Sequence, residues 1–297
     1  MPTELASQGP SLDLVADLRQ LFGYHFMVNA LAAGTLVAIV ASTVGWFMVL
    51  RRQAFAGHTL SVIAFPGAAA AGLAGAPAFV GYFAACGLGS LVLSATAAGP
   101  TRSIAEESAS IGSVQALALG CGFLFVSLYH GVLNELDSLL FGTFLGVTDG
   151  QVRVLLAVAL AAAVALVVIA RPLLFASLDP EVARASGVPV GPLSACFMLL
   201  LGLAVAVTSQ ITGALLVFAL LVTPAATAQL ITPRPGRSLA LALAIALAVT
   251  WLGLAAAYFS IYPVGFWVTS LAFALYAIVR AWRALADRAL RRAGDRR

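Results

Sequence analysis

Apolar residues run almost unbroken through long stretches of this chain, and polar ones gather in the short interruptions between them. Since about 20 apolar residues cross a bilayer, hydropathy predicts nine spans, near 26–50, 58–75, 78–99, 109–130, 152–171, 192–209, 213–231, 239–259 and 265–282. The second is short and the pair at 192–231 nearly continuous, which leaves a count of eight to ten. The expected fold is an all-α integral membrane protein, a polytopic helical bundle of about nine transmembrane helices. It divides into an N-terminal segment at 1–25, a transmembrane domain at 26–285 and a basic tail at 286–297. In the first of these, Leu12, Val15, Leu18, Leu21 and Phe22 recur at helical spacing opposite Asp13, Asp17 and Arg19. That pattern predicts an amphipathic helix on the membrane surface, and the acidic start does not fit a signal peptide. Gly67, Ala71 and Gly75 recur at four-residue intervals, a spacing that lets helix backbones approach closely in lipid.

Composition excludes several classes. Of 297 residues 62 % are hydrophobic and 9 % charged, where a soluble globular domain carries about a quarter charged. The net charge of +4 comes from arginine, because the chain contains no lysine. With the N-terminus outside, Arg51, Arg52, Arg102, Arg171, Arg184, Arg234, Arg237 and the arginines from 280 to 297 all fall inside, with Arg19 and Arg153 as exceptions. This distribution encodes topology and gives no basic face for nucleic acid. A P-loop needs a lysine to reach the β- and γ-phosphates, so the chain has no ATPase site of that kind and is not expected to be an enzyme. Any ATP that drives it must be hydrolysed on a partner. Cys86, Cys121 and Cys196 lack the paired spacing of a metal or redox motif and are expected to be small core residues. All twelve acidic residues lie outside the predicted spans, which argues against a proton- or sodium-coupled carrier. A stand-alone secondary transporter or channel remains the alternative reading. An intramembrane protease fits less well, since there is no His-Glu-x-x-His and Ser90 and Ser94 have no evident histidine partner.

Three groups of residues could carry function. The first is Asp-Pro-Glu-Val-Ala-Arg-Ala-Ser-Gly-Val at 179–188. Asp179 suits the cap, Pro180 the first helical position and Gly187 the left-handed residue after the end, leaving a helix of about two turns. It lies between two spans on a loop with Arg171 and Arg184, on the cytoplasmic side by charge. On physics alone an ordinary interfacial helix and a docking element are equally good descriptions. The second group surrounds two mid-span prolines. Pro66 frees the carbonyl of Val62 and Pro224 that of Leu220, and such groups must face protein or water. Thr59, Ser61, Thr223 and Thr227 would then form the polar surface of a pathway; the prolines would otherwise simply kink packed helices. The third is His130, Glu135 and Asp137 at one outer helix end, with His25 at another, as stations for an incoming cation or as solvated loop residues. Between them, 139–146 is too short to span and is expected to dip partway as a re-entrant or interfacial segment.

Four stretches carry a resemblance: D-P-E-V-A-R-A-S-G-V-P-V at 179–190, G-A-L-L-V-F-A-L-L-V-T-P-A-A-T-A at 213–228, L-R-R-Q-A-F-A-G-H-T-L-S-V-I-A-F-P-G at 50–67, and L-F-G-T-F-L-G at 140–146. From about Phe26 to Ala281 the chain resembles the permeases of ABC transporters that import zinc, manganese or iron. The resemblance implies a type II-like importer permease that forms a homodimer in the prokaryotic plasma membrane, N-terminus outside and C-terminus cytoplasmic. It implies a separate ABC ATPase and an extracytoplasmic metal-binding protein as partners. No cofactor would be bound permanently: the divalent metal ion is substrate and ATP sits on the partner. The helix at 179–187 would be the coupling helix, with Asp179, Glu181, Ala183, Arg184 and Gly187 at the ATPase contact. In the second span the family usually has F-x-G-D-A-L-S-H-A-x-L-P-G, whose Asp and His, four apart, share one helix face. Here those positions are His58 and Val62, so the carboxylate is lost and one imidazole remains. A helix-start histidine bonded to backbone is the plain alternative. Two copies of His58 near a dimer axis would form a nitrogen-rich site, which suits zinc better than manganese.

Overall fold

The computed structural model describes residues 22–97, 104–128, 142 and 146–294. The segment 1–21, His130, Glu135 and Asp137, and most of 139–146 lie outside the described residues. Ten helices follow one another: α1 (His25–Leu50), α2 (Ala54–Leu73), α3 (Ala78–Ala97), α4 (Ile104–Leu128), α5 (Asp149–Leu178), α6 (Pro180–Ala185), α7 (Val190–Thr212), α8 (Ala214–Ile231), α9 (Pro235–Tyr258) and α10 (Val264–Gly294). Among the described residues no strand occurs. Eight of these helices are long and apolar enough to cross a membrane, and Leu216–Ile231 within α8 is a shorter apolar helix. The expected count of about nine is therefore met, with different bounds. Helix α2 starts at Ala54, four residues before the expected 58, because backbone bonding resumes directly after the turn at Arg51 to Gln53. Helix α5 runs for 30 residues and α10 for 31, so the expected boundary at 285–286 falls inside one continuous helix.

Lipid offers no hydrogen bonds to backbone, which forces each apolar run into a helix; local chemistry then fixes the ends. Thr148 and Gln151 form a capping box at the start of α5: the Gln151 N–H donates to Thr148 Oγ1 at 3.3 Å and the Thr148 N–H to Gln151 Oε1 at 2.9 Å. Between α7 and α8 the chain turns on Gly213 alone, at φ 73° and ψ 159°, a region open essentially only to glycine.

The helices pack as two groups. In one, α2 lies against α3, α4 and α7, and α3 against α7; in the other, α1 and α8 contact α9, and α8 and α9 contact α10. Contacts of α1 with α7, α7 with α8 and α2 with α8 join the groups, and α5 lies along α1 and α7. Helix α4 is mostly turned outward. Close crossings depend on small residues. A Cβ added to Gly81 would come within 2.1 Å of the Gly67 carbonyl oxygen, and one on Gly67 within 2.2 Å of Ala85 Cβ. Gly67 therefore serves as expected, whereas Gly75, at φ 71° with open space around it, belongs to the turn after α2. Cys86 is a core residue, but Cys196 is exposed on α7, so not all three cysteines fill the interior. Polar ties cross the bundle: Trp46 Nε1 donates to Ser238 Oγ at 3.0 Å, Gln229 Nε2 to the Trp46 carbonyl at 2.9 Å and Trp251 Nε1 to Thr35 Oγ1 at 2.9 Å. Such bonds average about 0.6 kcal/mol in membrane bundles.

Gly81→Val should force α2 and α3 apart and cost about 1–3 kcal/mol, the usual range for overpacking. Gly87, with nothing within 4 Å of an added Cβ, is the control, and Gly87→Val should change stability by less than about 0.5 kcal/mol. Thermal unfolding of the two variants in detergent gives the comparison.

Candidate metal pathway and docking helix

Helix α6 has the ends that its sequence predicts. Asp179 Oδ1 accepts from the N–H of Glu181 at 3.1 Å and of Val182 at 3.0 Å, with Pro180 at the first helical position. At the other end the Val188 N–H donates to the Ala183 carbonyl and the Gly187 N–H to the Arg184 carbonyl, both at 3.0 Å, with Gly187 at φ 84°. That pair of bonds is the Schellman motif. A six-residue helix is marginal in isolation, and here Ala183 anchors it: its side chain is 0 % exposed and joins the core. Glu181, Val182, Arg184 and Ala185 are exposed. This corrects one expected contact residue. Ala183 faces the bundle, and the free surface of α6 is the side carrying Val182, which is 49 % exposed.

The second predicted group is split up by the structure. His58 stands one turn into α2, about 6 Å along the axis, with its ring edge-on to Phe218 of α8 at a centroid distance of 5.0 Å. Its Nδ1 is shut off from solvent and has no hydrogen-bond partner within the subunit, so the reading of a backbone-bonded helix-start histidine is not met at that atom. The residue as a whole is half-buried, and two positions on, the Leu60 carbonyl accepts from Cys86 Sγ of α3 at 3.8 Å on another side of the helix. Val62, one turn beyond His58, shares its face. Thr59 instead donates to Gln115 Oε1 of α4 at 2.9 Å. Pro66, two turns on from Thr59, meets Gly122 of α4, where an added Cβ would lie 3.2 Å from the proline ring. Thr59 and Pro66 thus occupy the α4 side of α2, away from Phe218, and do not share a polar surface with His58. Ser61 is buried and donates to the His58 carbonyl at 2.7 Å.

On α8, Leu216 packs at Gly265 of α10, and Thr223, two turns further, follows that side. Thr227 donates to the Thr223 carbonyl at 2.7 Å, and Pro224 is buried inside the helix. The polar residues of α8 therefore do not face His58, and the residue that does is Phe218. Hydropathy could not single out one phenylalanine of an apolar helix. Among the described residues no three His, Cys, Asp or Glu side chains gather closely enough to hold a metal ion.

At the opposite end of the bundle, His25, Phe26, Asn29 and Gly146 to Asp149 line an open cleft of about 370 Å³. Asp149 Oδ1 accepts from Asn29 Nδ2 at 2.7 Å and lies 3.0 Å from His25 Nε2, and Asn29 also donates to the Val147 carbonyl at 3.2 Å. Asn29, buried in a predicted span, carried no signal in the sequence. Arg51 is a further polar group that sequence assigned to topology alone: it caps α1 and its guanidinium is held by Gln53, Ser177 and Ser194. Burial lowers its pKa from the ordinary guanidinium value.

A family model described as the ABC 3 transport family matches residues 23–283. The chain belongs to that family. A permease of this family is 34 % identical over 217 residues, the manganese transport system membrane protein MntC of Halalkalibacterium halodurans, with 72 % of this chain and 73 % of the relative covered. The chelated iron transport system membrane protein YfeC of Yersinia pestis is 33 % identical over 250 residues, covering 84 % of this chain and 82 % of YfeC. Among solved structures, PsaBC from Streptococcus pneumoniae in complex with Fab superposes with a TM-score of 0.79 at 28 % identity, over 90 % of this chain and 95 % of that one. The fold is thus that of an ABC 3 permease.

Ala183→Arg should place a guanidinium in the packed core under α6 and cost about 3 kcal/mol or more. Val182→Arg, on the free side, should leave the subunit's thermal midpoint nearly unchanged. Unfolding of both variants of the permease alone checks which way α6 faces.

Proposed function

We propose that this protein is the permease subunit of an ATP-driven importer of divalent transition metal ions in the prokaryotic plasma membrane. Two copies form the pathway, a separate ABC ATPase binds the exposed side of α6, and an extracytoplasmic metal-binding protein delivers the ion at the His25 end. The observation that carries this reading is α6, a short helix fixed at both ends, anchored by Ala183 and presenting Glu181, Val182, Arg184 and Ala185 outward in a chain with no lysine for a P-loop of its own. Manganese and iron appear in the names of the relatives, and both are cations of the class proposed. The arginines put α6, Arg51 and the C-terminus in the cytoplasm and the N-terminus outside.

Within the subunit, His58 is the pathway ligand that these observations favour. A buried nitrogen without a partner costs free energy in the resting protein, and a neutral imidazole offers that lone pair to a metal ion. One imidazole is not a complete ligand set. The second copy of the permease would supply another, and the Val62 carbonyl, which Pro66 cannot engage, offers an oxygen one turn away. Rocking of the two helix groups about the α2–α8 seam would alternate access, powered through α6 by ATP on the partner.

In liposomes, metal uptake should require both the ATPase and ATP; uptake by the permease alone would establish the secondary transporter or channel instead. Val182→Arg should abolish copurification of the ATPase from a permease that remains folded. His58→Ala should reduce uptake by about 100-fold or more, beyond the roughly 10–100-fold lost when only an outer-shell partner of a metal ligand is removed. His58→Asp should keep part of it and shift preference from zinc toward manganese, because carboxylate oxygen is the harder donor. Wild-type uptake by His58→Ala in a normally assembled complex would move the pathway away from this residue.

A further inference from the structure

Arg51 sits where the ends of four helices meet, α1, α2, α5 and α7. It is the C-cap of α1, with its N–H bonded to the Phe47 carbonyl at 2.9 Å. Its guanidinium donates through Nη1 to Ser177 Oγ at 3.2 Å, through Nη2 to Ser194 Oγ at 2.7 Å and through Nε to Gln53 Oε1 at 3.2 Å. The same group lies over the ring of Phe197 at 5.4 Å. Ser177 is in the last turn of α5 and Ser194 in the second turn of α7, so these two bonds bracket α6 on both sides in the chain. Gln53 is the N-cap of α2, the helix that carries His58 five residues further on.

The partners are two hydroxyls, an amide and an aromatic face, none of them a carboxylate. What favours the charge here is the carbonyl ends of α1 and α5, where helix dipoles are negative, together with the ring of Phe197. Only a planar fork can serve three directed bonds and a stack at once; an ammonium offers a point charge and cannot span them. The turn is tight besides: Arg52 takes a left-handed φ of 58°, and the Gln53 N–H donates back to the Met48 carbonyl at 2.9 Å. A shift of the α5 and α7 ends therefore reaches the start of α2 through one side chain and a constrained two-residue turn.

We propose that Arg51 is the positioning residue that transmits movement of α6 to α2, and so links ATP hydrolysis on the partner to the state of the His58 site. This rests on the reading of α6 as the ATPase dock. In the working cycle the Arg51 fork holds Ser177 and Ser194 at a fixed spacing, so that α5, α6 and α7 move as one at this end, and its Gln53 bond carries that movement to α2.

The test uses the complete reconstituted transporter with its ATPase and binding protein, and manganese(II) as the transported ion. Two variants are compared, Arg51→Lys, which keeps the charge and loses the fork, and the double variant Ser177→Ala with Ser194→Ala, which removes two small hydroxyls and keeps Arg51. Both should assemble and hydrolyse ATP within about twofold of wild type, while manganese moved per ATP hydrolysed falls on the order of tenfold, a usual size for coupling between sites. Combining all three substitutions should add little, because the bonds lost are the same. Unchanged manganese per ATP in the double serine variant, losses that add, or a parallel fall of assembly, hydrolysis and uptake would each overturn the proposal and make Arg51 a structural tie only. ATP-independent uptake by the wild type would instead overturn the reading of α6, whatever the Arg51 variants do.

Discussion

A bilayer supplies no hydrogen bonds, and the long apolar helices of this protein answer to that constraint. It turns each apolar run into a helix, and it favours pairs between several of the polar side chains in the interior. Thr59 reaches Gln115, Trp46 reaches Ser238, and Asn29 reaches Asp149 and Val147. These pairs are individually weak, but they set which helix faces meet. Close packing then depends on shape, and Gly67 against Gly81 brings α2 and α3 together where any side chain would collide.

The places that depart from full satisfaction are the informative ones. Pro66 and Pro224 each leave a carbonyl of their own helix without its usual donor, and His58 Nδ1 is buried without a partner. His58 and Phe218 lie where the α2 group meets the α8 group, a boundary between two packed units and a reasonable place for an alternating pathway. At one end of the bundle α6 projects an exposed face, and Arg51 ties its flanks to the start of α2. In the proposed reading these groups form a connected line, from α6 through the Arg51 guanidinium to the His58 imidazole.

Much of this was legible in the residues. The helical class, the count of about nine and the ends of α6 followed from hydropathy, Asp179, Pro180 and Gly187, because these are local effects of chain chemistry in lipid. The resemblance at 50–67 and 179–228 directed attention to His58 and to α6, and the family match over residues 23–283 agrees with it. Helix limits were less legible, since hydropathy measures transfer to lipid and not backbone bonding. So α2 begins four residues before the predicted span, and α10 continues past its own as far as Gly294.

Which way side chains face was decided by tertiary packing alone. Thr59 and His58 are neighbours in sequence yet meet different helices, because successive residues on a helix point about 100° apart and only the partner helices give those directions meaning. Ala183 lies inside a helix that otherwise faces outward, and Arg51, which by sequence marks only the inner side of the membrane, proves to hold the ends of four helices together. The sequence by itself determined that the chain spans a membrane, where it turns and which short helix stands between its halves, because burial in lipid and helix capping act over a few residues. The tertiary structure decided which residues face one another and which side of α6 is left free, because those contacts join residues more than a hundred positions apart, such as Arg51 with Ser177 and His58 with Phe218.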